Sequence, residues 1–148
     1  MVRKPFVAGM FYEEGFDALD KQITECFKSK FGPGELPIKR RDKKIIGIIA
    51  PHAGYQFSGS GQAWCYKEIG ESKFAETYVI LGTAHSGFPQ AAITTDEFET
   101  PFGIVSTDKR FIDLLIEKGV AIEDRLAQQL EQSIEVKLPL LQLVNKEY

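Results

Sequence analysis

Residues 45–55 constrain this chain more than any other stretch. Ile45, Ile46, Ile48, Ile49 and Ala50 follow one another with only Gly47 between them. A run so short, so uniformly apolar and so rich in β-branched side chains predicts a strand buried on both faces, of the kind found inside parallel sheets. Pro51 has no N–H to donate and ends the ladder. His52 therefore falls where strand gives way to loop, and Gly54 lets the backbone turn there. Ligands of open α/β sheets bind at the carboxyl ends of strands, which makes His52 a candidate functional residue.

Residues 77–82 predict a second buried strand. It also ends in glycine, Gly82, and His85 follows three residues later. A helix is expected between the two strands over residues 62–69, with Ser58 or Ser60 as its N-cap. Crossovers of this kind are right-handed and bring the chain back parallel. His52 and His85, the two histidines of the chain, would then emerge at one sheet edge. Their strands would lie ~5 Å apart as neighbours, or ~10 Å apart with one strand between. Equivalent placement favours a shared site; the alternative is that each is an ordinary hydrogen-bonded loop residue.

Elsewhere, residues 7–12 form an apolar segment with a bend at Gly9. Leu19, Ile23, Phe27 and Phe31 recur at intervals of four, one face of a helix over residues 17–31, stopped by Gly32-Pro33-Gly34. Strands are expected at residues 91–95 and 104–105, with a turn or hairpin at 98–103. Asp108 caps a helix that runs to Lys118 and ends at Gly119, and residues 120–122 make a short strand. From Leu126 onward the pattern is helical, with Pro139 breaking or kinking it. Strands alternating with helices predict an α/β fold with a largely parallel or mixed central sheet and flanking helices.

The 148 residues suffice for one domain, residues 1–148; at 43% hydrophobic, 26% charged and a net charge of −3, the composition is that of a soluble globular protein. The mild acidity argues against a nucleic-acid partner. The basic cluster of Lys39, Arg40, Arg41, Lys43 and Lys44 reads as a solvated lead-in to the strand. No apolar run approaches the ~20 residues that span a bilayer, and no signal-peptide core opens the chain. Cys26 and Cys65 lie far apart in predicted helices and form no C-x-x-C pair, consistent with a reduced cytoplasmic setting.

Familiar catalytic motifs are absent. Gly54 and Gly59 have P-loop spacing, but Ser60 stands where the lysine is needed. Gly59-x-Gly61 is followed by Trp64 where a dinucleotide fold needs a small residue, and neither serine near His52 sits in G-x-S-x-G. Trp64 reads as a packed helix residue. Two imidazoles suit zinc, iron, copper or nickel, and iron sites commonly add a carboxylate. Asp96, Glu99, Glu131 and Glu135 could supply one, and spacing selects none of them.

Several motifs in order carry a family resemblance: Val7-Ala8-Gly9-Met10-Phe11-Tyr12; Ala50-Pro51-His52-Ala53-Gly54-Tyr55 with Ser58-Gly59; Ile80-Leu81-Gly82 with His85; Glu99-Thr100-Pro101 with Gly103; and Glu131 with Ser133-Ile134-Glu135-Val136 and Leu138-Pro139. Together they resemble the MEMO family, which includes the B proteins of the AmmeMemoRadiSam system, in its N-terminal half. The resemblance implies a fold similar to the catalytic subunit of class III extradiol dioxygenases. It implies His52 and His85 as metal ligands and catalytic residues, an iron or copper ion, and metal-dependent redox chemistry. It also implies a peptide- or substrate-binding cleft at Phe11, Tyr55 and Gln132, which could serve a non-catalytic binding module instead. Gln132 and Gln128 stand where the family carries histidines, and its remaining ligands lie beyond the region matched here. The chain thus reads as shortened relative to the family. The leucine-rich residues 138–144 are accordingly expected to pack against a second chain, another copy or a complementary half.

Overall fold

A computed structural model describes residues 1–145. Strand β1 (Val2–Arg3) opens the chain and helix α1 (Phe16–Lys28) follows the turn at residues 7–12. The long helix α2 spans Tyr55–Gly70. Then come β2 (Ala92–Ile93), β3 (Glu97–Thr100), β4 (Gly103–Val105), α3 (Lys109–Glu117) and β5 (Ile122–Glu123). Three short helices close the described chain: α4 (Arg125–Gln129), α5 (Gln132–Glu135) and α6 (Leu138–Val144). The sheets are small. One has the order β1-β3-β4, with β1 parallel and β4 antiparallel to β3; the other pairs β2 and β5 in parallel. The protein is therefore a mixed α/β structure with flanking helices, and no helix among the described residues is long and apolar enough to cross a membrane.

The two central strands predicted from hydropathy are not formed. Residues 45–50 and 77–82 belong to neither sheet. Ile46 and Ile49 are 99% exposed and Leu81 is 92% exposed. A strand needs a ladder partner, and no described strand pairs with either segment; Tyr78 and Ile80 still pack against the core, while Ile46, Ile49 and Leu81 point outward.

The core lies instead between α1, α2 and α6. Leu19, Ile23, Cys26 and Phe27 line the buried face of α1 and meet Tyr55, Ala63 and Tyr66 of α2, with Leu140, Leu143 and Val144 of α6. This corrects the expectation for residues 138–144: Leu140 is 1% exposed, and the leucines are buried by their own chain. Pro139 does not kink the helix. It sits in the first turn of α6, where a missing N–H leaves no hydrogen bond unmade. Helix α1 stops at Lys28, before Phe31, which is exposed.

Helix α2 starts seven residues earlier than the predicted range, at Tyr55 with Gly54 as N-cap, so Ser58 and Ser60 are interior residues and not caps. Two interior glycines cost such a helix stability, but Gly59 lets α1 approach closely: a Cβ there would stand 2.4 Å from Cys26 Sγ. Trp64 is half-exposed, and its indole N–H donates to Phe31 O at 2.9 Å. The basic segment is tied to the end of α2, with Lys43 on Glu68 at 2.6 Å and Arg41 on Glu71.

One polar knot joins the two ends of the described chain. Glu135 is fully buried and accepts from Arg3 Nη1 at 2.8 Å, Tyr12 Oη at 2.8 Å, and the N–H groups of Phe6 and Val7 at 2.9 Å. Arg3 also donates to the carbonyls of Gln128 and Glu131, each at 2.8 Å. Burial, then the neighbouring Glu135 charge, pushes the Tyr12 phenol far up, so it remains a donor.

Candidate metal centre

His52 lies in the loop that leads into α2, half-buried, and His85 in the loop after residues 77–82. The structure brings them together although neither strand is formed. Their ring centroids are 5.2 Å apart, with planes at 77°.

The His85 loop is docked on the start of α5. Thr83 N–H donates to Ser133 Oγ at 2.8 Å, and His85 N–H donates to Glu131 Oε2 at 2.9 Å. Gly82 permits this approach, since a Cβ there would meet Ser133 Oγ at 2.4 Å. Glu131 caps α5 by accepting from Ser133 N at 2.7 Å. Its oxygens also face His85 Nδ1, at 3.0 Å from Oε1 and 3.2 Å from Oε2. Burial raises the Glu131 pKa, but the hydrogen bonds from Ser133 and His85 outweigh it and bring the carboxyl down to about 2. An ionised carboxylate only accepts, so Nδ1 is the donor nitrogen, and in the neutral imidazole the lone pair is on Nε2. That is how protein carboxylates orient metal-ligating histidines.

The other acidic candidates are engaged elsewhere. Asp96 pairs with the N-terminal amine and Arg125, Glu99 with Lys4, and Glu135 with Arg3. Glu131 is thus the one of the four carboxylates that holds a histidine, as the partner of the imidazole and not as a third ligand. Among the described residues no group of three or more His, Cys, Asp or Glu is arranged to hold an ion. Ring nitrogens bind such ions at about 2 Å and stand about 1 Å from their ring centres, so two rings sharing an ion have centroids roughly 4.5–5.5 Å apart. The 5.2 Å separation of the pair lies within that range.

The residues predicted to line a binding cleft are dispersed in depth. Phe11 is half-buried, and its carbonyl accepts from Tyr55 N at 2.7 Å, which puts the 7–12 turn against the start of α2. Tyr55 is a core residue whose hydroxyl donates to Val136 O at 2.8 Å. Gln132 is half-buried beside Glu131, and Gln128 donates to Ala92 O at 2.9 Å. Sequence reasoning did not find Lys137. Its ammonium reaches the carbonyls on either side of the Ala50–Pro51 bond, and no local motif announces that contact.

The fold and site together define a mixed α/β protein that presents a carboxylate-oriented histidine pair on two loops. The family model described as Memo-like protein matches residues 3–148, and the chain belongs to that family. It is 45% identical over 148 residues to the MEMO1 family protein MK0963 of Methanopyrus kandleri, covering 97% of this chain and 52% of that protein. A MEMO1 family protein of Methanobrevibacter smithii is 37% identical over 155 residues, covering 100% of this chain and 55% of its own length. TRQ2_0860 of Thermotoga sp. strain RQ2 is 40% identical over 150 residues, covering 97% and 54%. The chain spans about half the length of these curated relatives.

Proposed function

We propose that His52 and His85 contribute to an iron or copper centre for redox chemistry of the kind carried out by class III extradiol dioxygenases, whose fold we take this chain to share in part. The observation that carries the proposal is the facing histidine pair with His85 Nδ1 held by Glu131. An iron(II) or copper ion held there would supply a Lewis acid with positions open to dioxygen or a substrate oxygen. The chain itself presents an imidazole lone pair on His85, fixes that ring through an ionised carboxylate, and brings His52 to it on a separate loop. The test is metal content after anaerobic loading with iron(II) or copper and desalting. Wild type should retain metal, and His52→Ala and His85→Ala should each lose it. Equal retention in all three would remove the proposal, and turnover of a catechol by the loaded protein would extend it.

A second reading, a peptide-binding cleft, draws on exposed Met10 and half-buried Phe11, whose turn is hydrogen-bonded to the start of α2. Peptide affinity that survives chelation and falls in Phe11→Ala would favour it. We also propose that the exposed Ile46, Ile49 and Leu81 meet a second chain, a copy or a complement, in the cytoplasm. The free thiols of Cys26 and Cys65 suit that compartment.

A further inference from the structure

The loop that carries His52 is held by side chains where a strand would be held by a ladder. Cys65 Sγ donates to Ile49 O at 3.4 Å. Lys137 Nζ donates to Ala50 O at 3.2 Å and to Pro51 O. Ser58 Oγ and Gln62 Nε2 donate to Ala53 O at 2.9 and 3.2 Å. Gln62 is fully buried, and its Oε1 accepts from Lys137 Nζ at 3.3 Å. The three ammonium protons of Lys137 thus face three acceptors.

We propose that Lys137 is a positioning residue that sets the direction of the His52 imidazole, an inference resting on the reading of His52 as a site residue. The peptide group is planar, and Pro51 O belongs to the unit that ends at His52 N. Gripping that oxygen orients the plane from which the His52 side chain departs. Gripping Ala50 O fixes the preceding plane, and the proline ring between them removes most of the remaining freedom. Lys137 is buried, and no salt bridge to it occurs among the described residues. Burying an ammonium without a counter-charge costs free energy; that cost brings Lys137 down to about 8. A methionine or leucine would fill the same space without it. What the ammonium adds is hold on two successive carbonyls.

With only two histidines, ring proton spectra of the metal-free protein carry two sets of signals, assignable from His52→Ala and His85→Ala. Wild type should show a cross-peak between the rings. Lys137→Met, folded by circular dichroism, should lose that cross-peak and shift the His52 signals, while the His85 signals keep their wild-type positions. A folded Lys137→Met protein with both sets of signals and the cross-peak unchanged overturns the proposal. A measurement on wild type stands whether or not the variant folds. The Lys137 ammonium protons should resist exchange with water and give couplings across hydrogen bonds to the carbonyl carbons of Ala50 and Pro51. A freely exchanging ammonium also overturns it. Neither readout uses metal, so a wild type that binds no iron or copper would defeat the metal proposal and leave this one to be judged on the rings.

Discussion

Replacing Glu135 with glutamine tests the knot that ties β1 to α5. The substitution keeps shape and one acceptor oxygen, removes the charge, and turns an NH2 group toward donors. Four donors lose an ionised acceptor: Arg3 Nη1, Tyr12 Oη and the N–H groups of Phe6 and Val7. Removing one member of a buried ion pair costs about 3–5 kcal/mol. Single hydrogen bonds to charged groups contribute ~1.5–3 kcal/mol, so the loss of two or three full-strength bonds leads to the same range. A domain of this size has roughly 5–15 kcal/mol to lose. With a urea m-value of about 2 kcal/mol/M, the midpoint should fall by roughly 2 M. The assay is urea unfolding followed by circular dichroism, repeated for Arg3→Met and the double variant. Coupling should make Arg3→Met cost far less in the Glu135→Gln background than alone. A midpoint shift below about 0.5 M, or strict additivity, would show that the carbonyls of Gln128 and Glu131 satisfy Arg3 by themselves.

Glu131 gives the acid limb of stability its shape. Its carboxyl lies at about 2 when folded against an ordinary 4.5, so its contribution is complete above about 4.5 and is lost as pH falls toward about 2. Glu131→Gln should flatten that part of a stability-against-pH curve. Gly59→Ala would put a Cβ 2.4 Å from Cys26 Sγ, and the overpacking should cost about 1–3 kcal/mol in thermal or urea unfolding. In a Cys26→Ala background the same change should cost less, with the Tyr55 Cβ contact at 3.2 Å left to accommodate. Ile46→Lys and Ile49→Lys replace fully exposed side chains; stability should move by no more than about 0.5 kcal/mol, while self-association measured by sedimentation decreases. Losses above ~2 kcal/mol would mean that these isoleucines are covered in solution.

Periodicity made the amphipathic helices legible. Leu19, Ile23 and Phe27 mark the buried face of α1, Asp108 caps α3 by accepting from Phe111 N, and Gly119 ends it with a φ of 67°. The start of α2 was obscured by its serines and glycines, whose preference for loops is outweighed by packing against α1. Residues 45–50 and 77–82 failed for another reason: hydropathy says that a segment seeks cover, not what covers it. The leucines of 138–144 carry the same signal and found their cover within the chain. Equivalent placement pointed to His52 and His85 as a pair. The role of Glu131 was hidden because it acts across 46 residues of sequence, and that of Lys137 because it binds main-chain oxygens, which no side-chain pattern reveals.

The Arg3–Glu135 knot spans 132 residues, and that distance has a meaning in time. A ribosome adds about 5–20 residues per second, so Arg3 leaves the peptidyl-transferase centre roughly 7–25 s before its carboxylate is made. During that interval the guanidinium, the Tyr12 phenol and two backbone amides lack the Glu135 carboxylate and bond water instead, and α1 and α2 await the leucines of α6. The nascent chain can form α1 and α2 early, but it cannot lock β1 into place until α5 and α6 are delivered. Truncation a few residues before Glu135 should therefore release an N-terminal segment open to proteases and chaperones, whereas nascent chains carrying α6 should be protected from its first residues onward.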